Sequence, residues 1–324
     1  MTKRLLLCIG CEKGGTSWLS IYLRDMPEAR LGIRKEMHVF DVHYLAESRS
    51  WHLDRIARRG LQLAKLEDTP ANARRRAQIA EQIEGYRVAQ GLTGDLSRYV
   101  DYFRGIAGAE PPVEVVSDLT PDYSLLRAPH WAEIKPLLED GGFDIRVLFI
   151  MRDPVDRIDS AWRMAGRDAV RVAEVGRGLA SRALLRGRAF GRHLLAKAAP
   201  ALAPKPEEES FLDFAQSGLA LPRSRYDETI AAVEAVFDPA QIHYEFYENL
   251  FNNEAIERIT RFAGLPFTPA DFAARVNASP LQMPVGRSEV ARVREMLEPT
   301  YRFCGERFGA ERLAGLWSNW KVAA

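Results

Sequence analysis

One stretch near the start constrains this chain most. The apolar run Leu5-Leu6-Leu7-Cys8-Ile9 passes directly into Gly10-Cys11-Glu12-Lys13-Gly14-Gly15-Thr16-Ser17-Trp18. A buried strand that feeds a glycine-rich turn and then a helix is the sequence form of an anion cradle. Successive backbone N–H groups and the positive end of the helix dipole face the anion, and residues without bulk let the backbone approach it.

The position of the lysine narrows the choice of anion. In the triphosphate-binding signature the lysine stands between the last glycine and the Ser/Thr, where it reaches the β- and γ-phosphates. Here Gly15 meets Thr16 directly and the lysine is Lys13, ahead of the glycine pair. The loop can still bind a 5′-phosphate but has no lysine where the triphosphate version reaches the β- and γ-phosphates, and taken alone it is also compatible with an ordinary βα turn.

At 324 residues, with 47% hydrophobic and 27% charged residues, the chain reads as globular, either one large α/β domain or two small ones. A net charge of +1 excludes a general polyanion binder, so a basic site must be local and no nucleic-acid partner is expected. The three cysteines Cys8, Cys11 and Cys304 are too few and too odd for a disulfide framework. Cys8 and Cys11 form a C-x-x-C with no second pair, which reads as small apolar filler rather than a metal or redox site. The apolar run after Lys3-Arg4 is too short for a signal peptide, and no stretch approaches a membrane span, so the expected location is cytoplasmic.

Four further strands are expected at about 29–33, 113–116, 145–151 and 242–247, each short, β-branched or aromatic, and followed by helix-like sequence. Helices are expected over 16–24, 51–90 with a break near Pro70, 130–138, 155–164, 223–237, 254–262 and 288–307. Strands alternating with helices imply a three-layer, P-loop-like α/β domain spanning 1–324. Its central parallel sheet of about five strands is flanked by helices, with ligands at the carboxyl ends of the strands. The charged, helical 50–105 region reads as an insertion or lid, or as a plain surface hairpin. The 163–205 segment carries an excess of about eight positive charges interleaved with apolar residues. This amphipathic insertion suits an anionic membrane surface or an anionic acceptor, and equally a solvated helix pair.

A second constellation follows the expected fourth strand: Arg152-Asp153-Pro154-Val155-Asp156-Arg157-Ile158-Asp159-Ser160. A guanidinium at the strand end and a hydroxyl on the first turns of a helix begun by Pro154 can converge on one phosphate. Two cradles at one sheet edge imply a ligand with phosphates at both ends.

With both motifs in view, the chain resembles the sulfotransferases that use 3′-phosphoadenosine 5′-phosphosulfate (PAPS). Lys13 to Trp18 is similar to their 5′-phosphosulfate loop, and Arg152 to Ser160 to their 3′-phosphate motif. Arg34-Lys35-Glu36-Met37-His38-Val39-Phe40-Asp41 resembles the K-E-x-H-F-F-D stretch of the heparan sulfate type, with Val39 where an aromatic is usual. Weaker likeness extends through Ser117 to Tyr123, Ser224-Arg225-Tyr226, Phe246 to Leu250 and Phe262 to Leu265.

The resemblance implies roles residue by residue. Lys13 contacts the 5′-phosphate and bridging oxygen, Gly14, Gly15, Thr16 and Ser17 supply hydrogen bonds, and Trp18 flanks the adenine. Arg152 and Ser160 hold the 3′-phosphate, with Tyr226 on the adenine side and Arg287 as a counterpart of the family's closing basic loop. Sulfuryl transfer needs an in-line acceptor oxygen, a base and positive charge at the leaving oxygen. Glu36 is the expected base, with His38 the competitor two residues on and pointing the same way if the strand continues. Lys13 is the electrostatic stabiliser, and Lys35, His38 and Asp41 face the acceptor. The acceptor is a glycan, lipid or small metabolite, the product 3′,5′-adenosine bisphosphate, and no metal is expected. His43 and His52 read as surface residues. Two rivals stay open: a P-loop kinase using Mg·ATP, and a non-enzymatic module binding an anionic polymer or membrane through the arginine-rich segment.

Overall fold

The structure, a computed structural model, describes residues 3–166, 210–272 and 284–321. The chain divides into two compact units, Met1–Arg152 with Arg225–Val276, and Asp153–Ser224 with Asn277–Ala324. Most of the basic 163–205 segment lies outside the described residues.

The first unit is α/β, with a five-stranded parallel sheet flanked by helices. In chain order its strands are β1 (Lys3–Gly10), β2 (Ala29–Leu31), β3 (Val115–Asp118), β4 (Phe143–Met151) and β5 (Ile242–Phe246). They lie in the order β2-β3-β1-β4-β5, every pair parallel. β1 is the middle strand because it is apolar on both faces: Leu5, Leu6, Leu7, Cys8 and Ile9 are fully buried. The chain builds outward from β1 first toward β3 and β2, then toward β4 and β5. That reversal puts the turn after β1 at the topological switch point, where open α/β sheets bind ligands.

Helix α1 (Thr16–Arg24) starts at Gly15, whose φ of 87° opens the turn, and buries Trp18, Leu19 and Leu23 against the sheet. After β2 come α2 (Val39–Tyr44), α3 (Ala46–Lys65), α4 (Ala73–Thr93) and α5 (Ser97–Gly108). The expected helix over 51–90 with a break near Pro70 is thus α3 and α4, starting five residues earlier. Burial shows that 50–105 is not wholly peripheral: α5 sets Tyr99, Phe103 and Ala107 in the core at four-residue spacing. α6 (Ala128–Asp140) precedes β4.

The second unit is helical in its described part. Backbone over 154–166 is helical, and further helices span Phe211–Gln216, Arg287–Met296, Glu298–Phe308 and Ala310–Leu316. The single helix expected over 288–307 divides at Leu297, because Pro299 occupies the first turn of a new helix. Asp153 is fully buried and accepts from the Tyr301 hydroxyl at 2.6 Å and the Asn319 N–H at 2.7 Å. Buried Arg157 donates to Ser224 Oγ and the Ala220 carbonyl, each at 2.6 Å. Among the described residues no helix is long and apolar enough to cross a membrane.

Candidate active site

Two loops meet at the carboxyl ends of β1 and β3. The first is the glycine loop. The Cys11 N–H donates to the Ile150 carbonyl at 2.5 Å and the Gly14 N–H to the Cys11 carbonyl at 2.9 Å, so main-chain bonds shape it. A Cβ at Gly14 would lie 2.9 Å from Cys11 O, and one at Gly15 would lie 2.6 Å from Leu250 Cδ2. Lys13 has φ 69°, a left-handed conformation that a side-chain-bearing residue adopts at a cost. No acidic residue stands in the first turn of α1, so its leading N–H groups and dipole face no resident carboxylate of that turn.

The second loop, residues 32–38, departs from the sequence expectation. β2 stops at Leu31, so Glu36 and His38 are not on a continuing strand; His38 instead stands at φ 54° immediately before α2. The loop nevertheless assembles a chain of charges. Lys35 Nζ donates to Thr16 Oγ1 at 3.0 Å and to Glu36 Oε1 at 2.6 Å. His38 Nε2 lies 3.5 Å from Glu36 Oε2, an ion-pair distance, and Nδ1 lies 2.9 Å from Asp41 Oδ2. The sequence Asp41, His38, Glu36, Lys35, Thr16 therefore runs unbroken from a buried carboxylate to the first residue of α1.

Exposure differs along this chain: the Asp41 side chain is 0% exposed, His38 3% and Glu36 33%. Burial pushes the Glu36 carboxyl up, but His38 and Lys35 together outweigh it and hold it well below the usual carboxylate range. Burial likewise lowers His38, while Asp41, Glu36 and Asp122 raise it well above the ordinary histidine value. These neighbours favour the anion at Glu36, which reaches solvent, and the cation at the buried His38.

The remaining assignments fall as follows. Arg152, at the end of β4, donates from a guanidinium nitrogen to the Lys13 carbonyl at 3.3 Å and lies over the Tyr247 ring at 4.5 Å. Tyr226 is buried; its hydroxyl donates to the Arg152 carbonyl at 2.9 Å and lies 3.4 Å from Cys11 Sγ. Trp18 is 5% exposed, stacked on Tyr22 and Phe272 with an edge contact to Phe251. Ser17 is half-buried beside it. Ser160, half-buried, and Arg287, exposed, belong to the second unit.

Sequence reasoning missed several residues here. His52 is buried rather than on the surface, its Nε2 3.3 Å from the Tyr86 carbonyl and its ring 6.4 Å from that of His38. His43 is half-buried, with Nδ1 2.6 Å from the Thr93 carbonyl. Both reach partners on α4 that nothing in local spacing reveals. Asp122 joins His38 and Asp41 in a buried group whose ligating atoms lie within 4.8 Å of one another, a cluster that linear spacing does not show. The direct His38–Asp41 pair accounts for that grouping by charge.

No protein-family model matches the chain, and no curated protein does. Among solved structures, it is similar to a sulfotransferase from Alicyclobacillus acidocaldarius at 17% identity, covering 99% of this chain and 100% of that one, with a TM-score of 0.48. It is also similar to the sulfotransferase domain of the curacin biosynthetic pathway, at 13% identity over 92% of this chain and 98% of that one, with a TM-score of 0.40. A sulfotransferase from Mycobacterium avium is similar at 15% identity over 92% of this chain and 68% of that one, with a TM-score of 0.37. At these scores the functional reading rests on the residues themselves.

Proposed function

We propose that this protein moves the sulfuryl group of PAPS to a hydroxyl or amine acceptor. The observation that carries the reading is the Lys35 ammonium, which ties Thr16 at the head of α1 to the Glu36 carboxylate. An anion cradle and an ionised carboxylate thus share one cation, the combination that group transfer to a nucleophile from an anionic donor requires.

The cradle suits the donor's 5′ end: Gly14 and Gly15 let the loop pack tightly on Cys11, Ile150 and Leu250 at the head of α1, and the first turn of α1 carries no acid. Lys13, Gly14, Gly15, Thr16 and Ser17 would hold that end, with Arg152 and Ser160 at the 3′-phosphate. Arg287 keeps the donor-side role that the family resemblance implies, whereas the buried Trp18 and Tyr226 rings support the cradle from within the core instead of touching the adenine. When bound, the donor supplies the transferable group and a bisphosphate leaving group.

Glu36 takes the acceptor proton. Its carboxylate is in the accepting form and its exposed third admits an acceptor, while the Lys35 and His38 partners that favour the anion also lower its basicity. His38 is a poor base because it already carries a proton that Asp41 stabilises; it orients Glu36 instead. Lys35 and Lys13 supply positive charge on the donor side, and Lys35, His38 and Asp41 order the acceptor edge. The acceptor itself is a hydroxylated sugar, lipid headgroup or small metabolite.

The kinase alternative is disfavoured by the same hydroxyl. In a triphosphatase loop the Ser/Thr after the lysine binds magnesium, whereas Thr16 Oγ1 here accepts from an ammonium group. A thermal-shift comparison tests the choice: 3′,5′-adenosine bisphosphate should stabilise the protein and Mg·ATP should not. The reverse pattern would sink the proposal. With labelled PAPS and fractionated acceptors, Glu36→Gln should lose about 10²–10⁴-fold in transfer while the bisphosphate thermal shift persists.

A further inference from the structure

The loop that carries Glu36 and His38 is held by three side chains outside it. The N–H groups of Met37 and His38 donate to Thr120 Oγ1 at 2.9 and 3.3 Å, and the Val39 N–H donates to the Tyr123 hydroxyl at 3.2 Å. Each hydroxyl must then send its own proton elsewhere, and both send it to Asp118: Thr120 to Oδ1 at 2.6 Å, Tyr123 to Oδ2 at 2.7 Å. Tyr99 adds a third hydroxyl at 3.0 Å, and the Met37 N–H lies 3.4 Å from Oδ1. Asp118 is fully buried at the end of β3, and its contacts are all neutral donors.

A hydroxyl can point its proton either way. An anion that only accepts fixes that choice, turning the lone pairs of Thr120 and Tyr123 toward three consecutive N–H groups. Those bonds hold His38 at its positive φ, within ion-pair distance of Glu36. We propose that ionised Asp118 is a positioning residue for the proposed transfer reaction, acting through Thr120 and Tyr123, and that its protonation releases the 36–39 loop. The inference rests on Glu36 being the base.

The surroundings allow this group to titrate where others do not. Burial raises the Asp118 carboxyl to about 6, against the opposing pull of its hydroxyl and N–H donors. The groups around it are Tyr99 and Tyr102 on α5, Tyr123 after β3 and Cys8 on β1, with burial raising each of them away from neutrality. The nearest full charges, Lys35, His38 and Asp41, are engaged in the chain described above. Glu36 is held below the usual carboxylate range and His38 is raised above the ordinary histidine value by its carboxylate partners; Asp118→Asn, which leaves both in place, separates their titration from that of Asp118. Asp153, also raised by burial, belongs to the second unit, and substitution separates the two.

The test is amide hydrogen exchange of Met37, His38 and Val39, corrected for intrinsic rate, from pH 5 to 7.5, alongside kcat where an acceptor is in hand. In the native protein, protection should fall as the pH drops through about 6, and kcat should fall with it while the donor KM holds. Asp118→Asn should abolish that pH dependence and lower kcat by on the order of 10²-fold. Tyr123→Phe, which keeps the carboxylate, should expose the Val39 amide and leave Met37 and His38 protected. Protection that stays constant across this range in the native protein overturns the inference, as does an Asp118→Asn protein that keeps the acid limb. Failure of the bisphosphate thermal shift would overturn the transfer reading instead, since the exchange measurement needs no ligand.

Discussion

The two loops at this sheet edge reach similar backbone geometry by opposite means. Each places one side-chain-bearing residue in the left-handed region, Lys13 at φ 69° and His38 at φ 54°. The glycine loop is shaped mainly by main-chain bonds, from the Gly14 N–H to the Cys11 carbonyl within it and from the Cys11 N–H to the Ile150 carbonyl of β4, with one guanidinium bond from Arg152 to the Lys13 carbonyl. The carboxylate loop depends on side chains more than 80 residues away, Asp118, Thr120 and Tyr123. A loop of the first kind is sensitive to added bulk and indifferent to pH. One of the second kind is sensitive to the loss of single polar atoms and to protonation, so the proposed base sits on the adjustable loop while the proposed donor cradle is fixed.

The largest effect expected from breaking this contrast comes from Asp41. Asp41 and His38 form a buried pair, and removing one partner of such a pair costs on the order of 3 kcal/mol. Because the folded state raises His38, its contribution is complete below the unfolded histidine value of about 6.5 and disappears as pH rises through the folded value. Asp41→Asn should therefore be most destabilising near pH 6 and less so near pH 9, as read by urea denaturation at both. An equal loss at the two pH values would mean that the pair contributes packing alone. The glycine loop should show no such dependence.

Gly15→Ala probes the other loop. A left-handed residue with a Cβ costs roughly 1–2 kcal/mol, and here the new carbon would also lie 2.6 Å from Leu250 Cδ2. A loss of about 2 kcal/mol at every pH, together with a weakened bisphosphate thermal shift, is expected. If the substituted protein were as stable as the parent, the loop would have to be softer than its main-chain bonds imply.

What could be read from sequence follows the same division. The sheet strands and the glycine cradle were legible because each depends on neighbours in the chain: an apolar run, a glycine pair, a helix start. Lys35, Glu36, His38 and Asp41 stand out as a group only through the family resemblance, since an isolated K-E-x-H reads as a surface pair, and the strand expected to carry them ends at Leu31. Asp118 and Tyr123 were visible only as part of a weak motif, and His52 was misplaced on the surface. Their partners lie on other elements, at separations where hydrophobic period and turn chemistry say nothing. The break at Leu297 was missed although Pro299 marks it, because apolar spacing runs on across both helices.

Tyr226→Phe should have the smallest effect and sharpens the contrast most. Its hydroxyl is the side-chain bond that reaches the end of β4, donating to the Arg152 carbonyl beside the cradle. If main-chain bonds shape the glycine loop, deleting this hydroxyl removes the bond to the Arg152 carbonyl and the weaker contact with Cys11 Sγ, about 1 kcal/mol. The ring stays in place, because its edge contact with Phe149 and its complete burial are unchanged by loss of one oxygen. Bisphosphate binding should then weaken by no more than about tenfold, without the pH dependence expected of Asp118→Asn. A loss as large as that of Gly15→Ala would place the cradle under side-chain control as well, and the two loops would differ in degree rather than in kind.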